Sequence, residues 1–244
     1  MKPSASASGR VQLFCFPYAG GGASIFRSWQ AETGPSLRVI PVRLRGREGR
    51  IFEPPLRSVP DLAEAIAAEI VPLIDGPFAL FGYSFGALLA FETARLLRRQ
   101  GNAPDRLMVA ALKAPHLPFR RKPIHDLPDL EFAEKIRNFH GTPEAVLRNA
   151  ELMNLLLPAI RADFTAYETY RYVAEAPLDC PITAMGGARD SSTPLDELAA
   201  WGEQTRGRFA THVFPGDHFF LHSARQLLPW TIAQELLPAL RKAS

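Results

Sequence analysis

The stretch that decides the fold is PFALFGYSFGALLAFETARLL, residues 77–97. It begins with a continuous apolar run, residues 78–81, which is typical of a parallel strand covered on both faces. From Ser84 onward the apolar residues recur at spacings of three and four, which predicts a helix with one apolar face. Strand and helix therefore meet with almost no loop. Gly82 and Gly86 lack a Cβ atom and let the two elements approach, while Ser84 sits at the tip in a strained conformation.

The five residues GYSFG, 82–86, match the G-x-S-x-G pattern of the nucleophile elbow of α/β-hydrolases. The pattern is short and also arises by chance, so the strand before it and the helix after it are the stronger signal. An elbow exposes the serine oxygen at the carboxyl edge of the sheet. We therefore predict that Ser84 is a nucleophile, the alternative being a structural Gly-Ser turn.

Further segments with the pattern of strands occur along the whole chain, and helical patterns separate most of them. In order they are VQLFCFP, LRVIPVRL, PFALFGYS, RLMVAALKAP, CPITAMGG and RFATHVFPG. This alternation predicts an α/β protein with a mostly parallel sheet and helices on both faces, the α/β-hydrolase fold. The alternation lapses between Pro115 and Pro177, where the pattern is helical. We expect a flexible tail over residues 1–9 and a single domain over residues 10–244, with a helical lid insertion over about 116–176.

Composition and charge exclude several classes of protein. The chain has 244 residues, 47% of them hydrophobic and 22% charged, which suits one large folded domain. A net charge of +3, with 28 basic residues interspersed among 25 acidic ones, is too small to indicate nucleic-acid binding. There is no signal-peptide pattern and no apolar run long enough to span a membrane, so we expect a cytoplasmic protein.

A serine hydrolase of this fold carries its acid and its histidine after the nucleophile, in that order. Asp190 follows the fifth predicted strand and His218 follows the sixth, where the active-site loops of an open parallel sheet gather. We predict that His218 takes the proton of Ser84 and that Asp190 orients the histidine. Asp190 as a helix cap, with Asp196 or Asp217 as the acid, is the alternative. Asp217 adjoins His218 in sequence and is badly placed to reach the far ring nitrogen.

The tetrahedral intermediate of acyl transfer needs hydrogen-bond donors for its oxyanion. The segment FPYAGGGAS, residues 16–24, follows the first predicted strand, and its glycines allow backbone N–H groups to turn toward the site. We predict that the N–H groups of Ala19 and Phe85 form the oxyanion hole. A phosphate-binding glycine loop is the alternative, but this segment lacks both the Walker and the G-x-G-x-x-G spacing.

Six segments together closely resemble the type II thioesterases of polyketide and nonribosomal peptide biosynthesis, with matching spacing from about residue 10 to 240. They are LFCFPYAGGGASIFRSW, GREGRIFEPP, FGYSFGALLAFE, LLPAIRADFTAYETY, CPITAMGGARD and GDHFFL. The resemblance implies a stand-alone serine hydrolase that releases aberrant or stalled acyl groups from the phosphopantetheine arm of acyl or peptidyl carrier proteins. The two-step acyl transfer that follows needs no cofactor and no metal. From charge and hydropathy we expect no nucleic-acid or membrane partner, and we expect a monomer. The resemblance carries the same triad and oxyanion residues onto this chain.

The chain departs from the family pattern beside the nucleophile. Family members often have histidine where this chain has Tyr18 and Tyr83, and methionine where it has Phe85. These changes put the acyl preference in question rather than the reaction. We predict that Tyr18 and Tyr83 contact the substrate, together with Phe132 and Leu156 from apolar helix faces of the insertion.

Other functions stay open on the sequence alone, because the same triad cleaves thioesters and oxygen esters. The alternatives are a medium-chain fatty acyl-carrier thioesterase, a small-molecule carboxylesterase, a macrocyclising enzyme and a non-catalytic ligand-binding homologue. Two basic runs, RLRGREGR at 43–50 and FRRK at 119–122, are candidate docking sites for an acidic carrier protein or plain solvated loops. The RADF segment at 161–164 either orients the lid or forms a solvated helix pair.

Overall fold

The computed structural model of the protein describes residues 10–138 and 149–240. The expected tail and residues 139–148 of the expected insertion lie outside the described residues. The sheet consists of β1 (Val11–Phe16), β2 (Leu37–Pro41), β3 (Phe78–Tyr83), β4 (Arg106–Ala110), β5 (Ile182–Gly187) and β6 (Phe209–Phe214). The strand order is β2-β1-β3-β4-β5-β6, and every neighbouring pair is parallel. The α/β fold class predicted from the alternation of strands and helices is confirmed.

Helices connect the strands and cover the sheet. In the described residues they are α1 (Trp29–Thr33), α2 (Val59–Ile70), α3 (Phe85–Arg99), α4 (Asp129–Asn138), α5 (Ala150–Thr169), α6 (Leu195–Ala199), α7 (Phe220–Ser223) and α8 (Leu227–Leu240). Short 3-10 helices occupy Ala23–Phe26, Glu48–Arg50, Val71–Leu73 and Ala200–Gln204. Within the part of the chain that the structure describes, no helix is both long and apolar enough to cross a membrane.

The continuous apolar run of β3 is explained by hydrophobic packing on both faces of the sheet. Phe78 and Leu80 belong to a core shared with α2 and α3. Ala79 and Phe81 point the other way, into a core that includes residues of α1 and α8. Because neither face meets water, polar residues are excluded from both, and the strand does not show alternating polarity.

The insertion between β4 and β5 holds a third, smaller apolar cluster. Phe132 and Ile136 of α4 pack there with Ile160 of α5, and Leu156 and Phe164 lie against them. The two helices therefore bury their apolar faces mainly on each other. This pair lies at the carboxyl edge of the sheet, where the loops after β1, β3, β5 and β6 meet.

Candidate active site

The turn between β3 and α3 holds Ser84 as the elbow pattern predicts. Ser84 has φ 53° and ψ −122°, and its N–H donates to the Ala110 carbonyl at 2.7 Å. A Cβ added to Gly82 would overlap the Gly86 carbonyl, and one added to Gly86 would overlap the backbone of Phe16. Both positions therefore need glycine. The positive φ of Ser84 is a strained conformation that the close packing of strand and helix maintains.

The structure brings Ser84, His218 and Asp190 together in one hydrogen-bonded chain. Nε2 of His218 lies 3.0 Å from Ser84 Oγ, and Nδ1 lies 2.8 Å from Asp190 Oδ2. Each residue comes from a loop at the carboxyl end of a different strand, which is where the parallel topology gathers them. The Asp190 side chain is 1% exposed and that of His218 is 27% exposed, so only the histidine is open to solvent.

The two alternative acids do not contact the histidine side chain. Asp196 lies in the first turn of α6 and is exposed to solvent. The carboxylate of Asp217 accepts a hydrogen bond from the N–H of Phe219 at 2.9 Å, in the loop before α7. Asp190 therefore satisfies the geometry that the sequence argument requires of the acid.

The pKa of Asp190 is lower than its ordinary value. Burial alone raises it, but the hydrogen bond and charge of His218 and the hydrogen bonds of Ser192 lower it by more. The carboxylate is thus ionised at neutral pH and accepts the N–H at Nδ1 of His218. With that nitrogen protonated, the lone pair of Nε2 faces the hydroxyl of Ser84, which is the tautomer that a general base needs.

Ser192 is a site residue that sequence reasoning missed. Its hydroxyl donates to Asp190 Oδ1 at 2.6 Å, its N–H donates to the same oxygen at 2.8 Å, and its Oγ lies 2.9 Å from Nδ1 of His218. The signal in the sequence is the Asp-x-Ser spacing of an Asx turn, in which an aspartate accepts the N–H two residues later. Ser192 thus fixes the second oxygen of the Asp190 carboxylate, while its own hydroxyl oxygen lies beside the ring of His218.

A cavity of about 300 Å³ opens over Ser84 and His218. Tyr18 lines it, as predicted from the sequence. Its apolar lining includes Ala19, Phe85, Phe119, Ile136, Ile160, Phe164 and Tyr167, and charged residues, Lys113, Arg120, Arg121 and Glu197, also line it. Helices α4 and α5 of the insertion therefore supply one wall of this cavity, and the sheet loops supply the other.

Tyr83 does not line the cavity, contrary to the prediction that it contacts substrate. Its side chain has no exposed surface. The hydroxyl donates to the backbone carbonyl of His218 at 2.6 Å and accepts the N–H of Leu221 at 3.1 Å. Successive residues of a strand point to opposite faces, so a residue next to the nucleophile in sequence need not share its cavity. Tyr83 holds the histidine loop instead.

Phe132 and Leu156 were also predicted to contact substrate, and the structure places both behind the cavity wall. Phe132 has no exposed surface, and Leu156 packs in the cluster between α4 and α5. The residues one turn further along the same helix faces, Ile136 and Ile160, line the cavity instead. The amphipathic pattern identified the correct face but not the turn that reaches the substrate.

The N–H groups of Ala19 and Phe85 carry no hydrogen bond among the described residues, and both residues line the cavity beside Ser84. Phe85 is the first residue of α3, so its N–H belongs to the positive end of that helix. Two donors at this position suit a developing oxyanion. The oxyanion role of these two N–H groups stays a prediction, which their position in the cavity lining supports.

Residues 161 and 163 do not form the solvated pair considered from the sequence. Arg161 donates to the backbone carbonyl of Leu127 at 2.8 Å and so ties α5 to the segment before α4. The Asp163 side chain is 1% exposed and pairs with Arg47, far away in sequence. The segment therefore makes long-range contacts within the protein.

A family model described as a thioesterase domain matches residues 11–234, and the chain belongs to this family. It is a thioesterase with the α/β-hydrolase fold, and the resemblance read from its motifs is confirmed.

Individual relatives cover most of the chain. Gramicidin S biosynthesis protein GrsT of Aneurinibacillus migulanus is 43% identical over 221 residues, which are 90% of this chain and 86% of that protein. Thioesterase PikA5 of Streptomyces venezuelae is 43% identical over 214 residues, 87% of this chain and 76% of that protein. The solved structure of the type II thioesterase BorB from the borrelidin biosynthetic cluster is 37% identical with a TM-score of 0.87, covering 96% of this chain and 95% of that one.

Proposed function

We propose that the protein is a type II thioesterase that hydrolyses acyl groups from the phosphopantetheine arm of carrier proteins in polyketide or nonribosomal peptide biosynthesis. In this role it removes aberrant or stalled acyl groups. The observation that carries the proposal is the chain of hydrogen bonds from Ser84 through His218 to Asp190, at the floor of a mostly apolar cavity, in a member of the thioesterase family. The biosynthetic context is drawn from the names of GrsT and BorB.

In the acylation step, Nε2 of His218 takes the hydroxyl proton of Ser84 while Oγ attacks the thioester carbonyl carbon. The negative charge that develops on the carbonyl oxygen is stabilised by the N–H groups of Ala19 and Phe85. When the carbon–sulfur bond breaks, the proton on Nε2 passes to the departing sulfur. The free thiol of the carrier arm leaves, and the acyl group stays on Ser84 as an ester.

In the deacylation step, a water molecule enters where the thiol has left, and His218 removes its proton as the oxygen attacks the ester. The second tetrahedral intermediate uses the same two N–H donors. Its collapse returns the proton from Nε2 to Ser84 Oγ and releases a free carboxylic acid. Asp190 remains an anion in both steps and stabilises the imidazolium that forms each time.

The helical insertion over about 116–176 acts as a lid in this scheme, since α4 and α5 wall the acyl cavity with Ile136, Ile160 and Phe164. A wall made of a separate helical insertion excludes water from the acyl chain and sets its allowed length. The carrier protein would approach the same edge of the sheet, because the cavity opens there.

The test measures hydrolysis of a panel of acyl-carrier proteins. The same acyl groups are also supplied as thioesters of small thiols and as oxygen esters of small alcohols. We expect the acyl groups to be released faster from carrier proteins and small thiols than from small alcohols. Ser84→Ala and Asp190→Asn should each lower kcat by about 10³-fold or more, and Ser84→Ala should leave the thermal unfolding temperature unchanged.

Asp196→Asn is the matched control, because this exposed aspartate lies six residues from Asp190 and does not contact the histidine. It should keep kcat within about twofold, as surface changes outside a site usually do. Preference for oxygen esters would favour a carboxylesterase, and an inactive wild type that binds acyl ligands would favour a non-catalytic homologue. Full activity of Ser84→Ala would remove Ser84 as nucleophile.

A further inference from the structure

The oxyanion loop, residues 18–24, contains three consecutive glycines, yet it must hold the N–H of Ala19 in a fixed direction. Gly20 has φ +77°, and the N–H of Gly21 donates to the Tyr18 carbonyl at 2.8 Å to close a tight turn. Glycine chains have high backbone freedom, so one turn bond does not hold such a loop rigidly. Contacts from elsewhere in the chain must supply the rest.

Asp163 of α5 and Arg47 of the loop after β2 supply those contacts. Asp163 Oδ2 accepts the N–H of Gly20 at 2.8 Å. Arg47 Nη1 donates to the carbonyl of Gly21 at 3.0 Å. The backbone of the oxyanion loop is therefore bonded on both sides of the Gly20–Gly21 peptide, directly after Ala19.

The two side chains also bind each other in a bidentate pair. Arg47 Nη1 lies 2.7 Å from Asp163 Oδ2, and Nη2 lies 2.8 Å from Oδ1. Their side chains are 5% and 1% exposed, so water does not compete. Burial lowers the pKa of Arg47, but the charge and hydrogen bond of Asp163 raise it by more, and the guanidinium stays charged. Planar, paired hydrogen bonds of this kind fix both groups in direction as well as distance.

The neighbouring residue Glu48 holds the far end of the same loop. Its carboxylate accepts the N–H groups of Ala23 and Ser24 at 3.0 and 2.9 Å. Burial raises the pKa of Glu48, but the hydrogen bonds from Ser24 and Ala23 and the charge of Arg47 lower it by more. Residues 47 and 48 therefore bind the second half of the oxyanion loop, at Gly21, Ala23 and Ser24, while Asp163 of α5 binds it at Gly20.

Helix α5 contacts the loop through packing as well. A Cβ built on Gly20 would lie 3.1 Å from Cγ1 of Ile160, which sits three residues before Asp163. Ile160 also lines the acyl cavity. The same face of α5 thus touches the acyl group and fixes the loop that stabilises the oxyanion.

We propose that Asp163 and Arg47 are positioning residues that set the direction of the Ala19 N–H, so that helix α5 takes part in transition-state stabilisation. The inference rests on the proposed function, because it assigns an oxyanion role to Ala19. It predicts a loss in kcat rather than in ground-state binding, since a misdirected donor is missed only when the oxyanion forms.

The test uses two variants. One is Asp163→Asn alone, and the other is a double variant that combines Arg47→Met and Asp163→Leu. A single substitution leaves a buried charge unpaired and can unfold the protein, whereas apolar replacement of both members of a buried pair is often tolerated. We expect the double variant to unfold near the wild-type temperature but to show kcat for a small uncharged thioester lowered by about 10²-fold, with KM within about threefold.

Two further measurements separate positioning from mere structural support. A trifluoromethyl ketone analogue of the thioester adds to Ser84 as a hemiketal whose former carbonyl oxygen is an oxyanion, and its inhibition should weaken by the same factor as kcat/KM. Arg161→Met is the matched control: it loosens α5 from α4 and from the segment before it without touching the oxyanion loop, and should leave both values within about twofold.

A wild-type kcat in the stable double variant would overturn the proposal. Losses in the Arg161→Met control as large as those in the double variant would overturn it as well. The labelling rate of Ser84 by a fluorophosphonate is measured in the same variants and requires no thioester. A wild type that is labelled but hydrolyses no thioester would contradict the proposed function. In that case the fall in labelling rate between the wild type and the double variant would still test the positioning role of Asp163 and Arg47.

Discussion

Two serines contact His218 from opposite sides of its ring. Ser84 lies at Nε2, where the proton is transferred, and Ser192 lies at Nδ1, where the ring is held. Since the Ser192 hydroxyl donates to Asp190, its oxygen lone pairs are left to share the Nδ1–H with the carboxylate. The orientation of His218 therefore depends on the neutral side chain of Ser192 as well as on the carboxylate of Asp190.

Ser192→Ala should raise the pKa of Asp190 toward its ordinary value, because it removes the hydroxyl donor that helps to keep the carboxylate ionised. A lowered pKa stabilises the folded state above the unfolded pKa of about 3.8, and this contribution disappears as pH falls through the folded value. We expect the acid limb of the thermal unfolding temperature to move to higher pH in the variant and kcat to fall by about tenfold. Thermal unfolding from pH 2.5 to 6, together with kcat at neutral pH, measures both.

Ser191→Ala is the control for that experiment, since its hydroxyl makes no hydrogen bond to Asp190 or His218 among the described residues. It should change neither quantity. An acid limb that is identical in Ser192→Ala and wild type would contradict the role assigned to Ser192.

At the residue scale, the sequence predicted those residues whose role requires a particular residue type or a particular order along the chain. The elbow needs glycine at 82 and 86 for steric reasons, and the order of Ser84, Asp190 and His218 follows from the order of the strands. Ser192 was missed and Tyr83 was misassigned because their contacts with the histidine and its loop are made only on folding, and the Asp-x-Ser spacing indicates a turn but not the contact with His218. A serine and a tyrosine carry no periodic signal.

Among the helices, α5 contains a residue that local preference disfavours in a helix interior. It runs from Ala150 to Thr169 through Pro158. Proline lacks the N–H that would bond to the preceding turn, so it usually marks a helix end. Here packing against α4 and the oxyanion loop outweighs that loss. Such packing also sets which turn faces the acyl group, which is why Phe132 and Leu156 were misassigned by one turn.

Phe164→Trp and Ile136→Phe should shorten the acyl cavity, because both side chains line it and the substitutions add volume. We expect kcat/KM for octanoyl and longer thioesters to fall by about tenfold relative to acetyl, as the misfit of a few methylenes implies. A chain-length series of small-thiol thioesters measures the ratio.

Leu155→Trp tests whether the effect comes from the cavity or from disturbing α5. Leu155 lies on the same helix and is 52% exposed, so its substitution should leave the chain-length profile unchanged. A profile that shifts equally in all three variants would exclude these residues as the wall that sets acyl length.

Across the whole molecule, the two basic runs have different uses. In the 43–50 run, Arg47 is buried with Asp163, and Arg50 bonds to Glu53 and Glu69. In the 119–122 run, all three cations are exposed, and Arg120 and Arg121 border the cavity mouth. Arg120 also pairs with Glu197 at 3.1 Å, but its side chain stays 72% exposed. Charge counts alone did not separate the two runs, because the difference lies in how far the cations are buried. The 119–122 run is the better candidate for docking an acidic carrier.

Arg120→Glu combined with Arg121→Glu should lower kcat/KM for acyl-carrier protein by about tenfold at low salt and less at high salt, since rim charges act on encounter and are screened. Hydrolysis of a small uncharged thioester should change by less than about threefold. Steady-state kinetics at two ionic strengths check both.

The control reverses two exposed arginines at the other edge of the sheet, Arg206→Glu with Arg208→Glu, just before β6. It makes the same change in net charge far from the cavity mouth. A loss for the carrier substrate that is as large in this control would assign the effect to net charge, and no loss in the 119–122 variant would remove that run from the docking surface.

The bonds from Asp163 and Arg47 to the oxyanion loop also bear on how enzymes of this kind are recombined. A lid whose contacts were all internal could be exchanged between homologues, without further changes, to alter the acyl preference. Here the insertion shares its anchor with two distant stretches of chain, 18–24 and 43–50. A chimera that transplants 116–176 alone would part Asp163 from Arg47 and the glycine backbone that it binds here, so the graft must carry all three segments to keep its turnover.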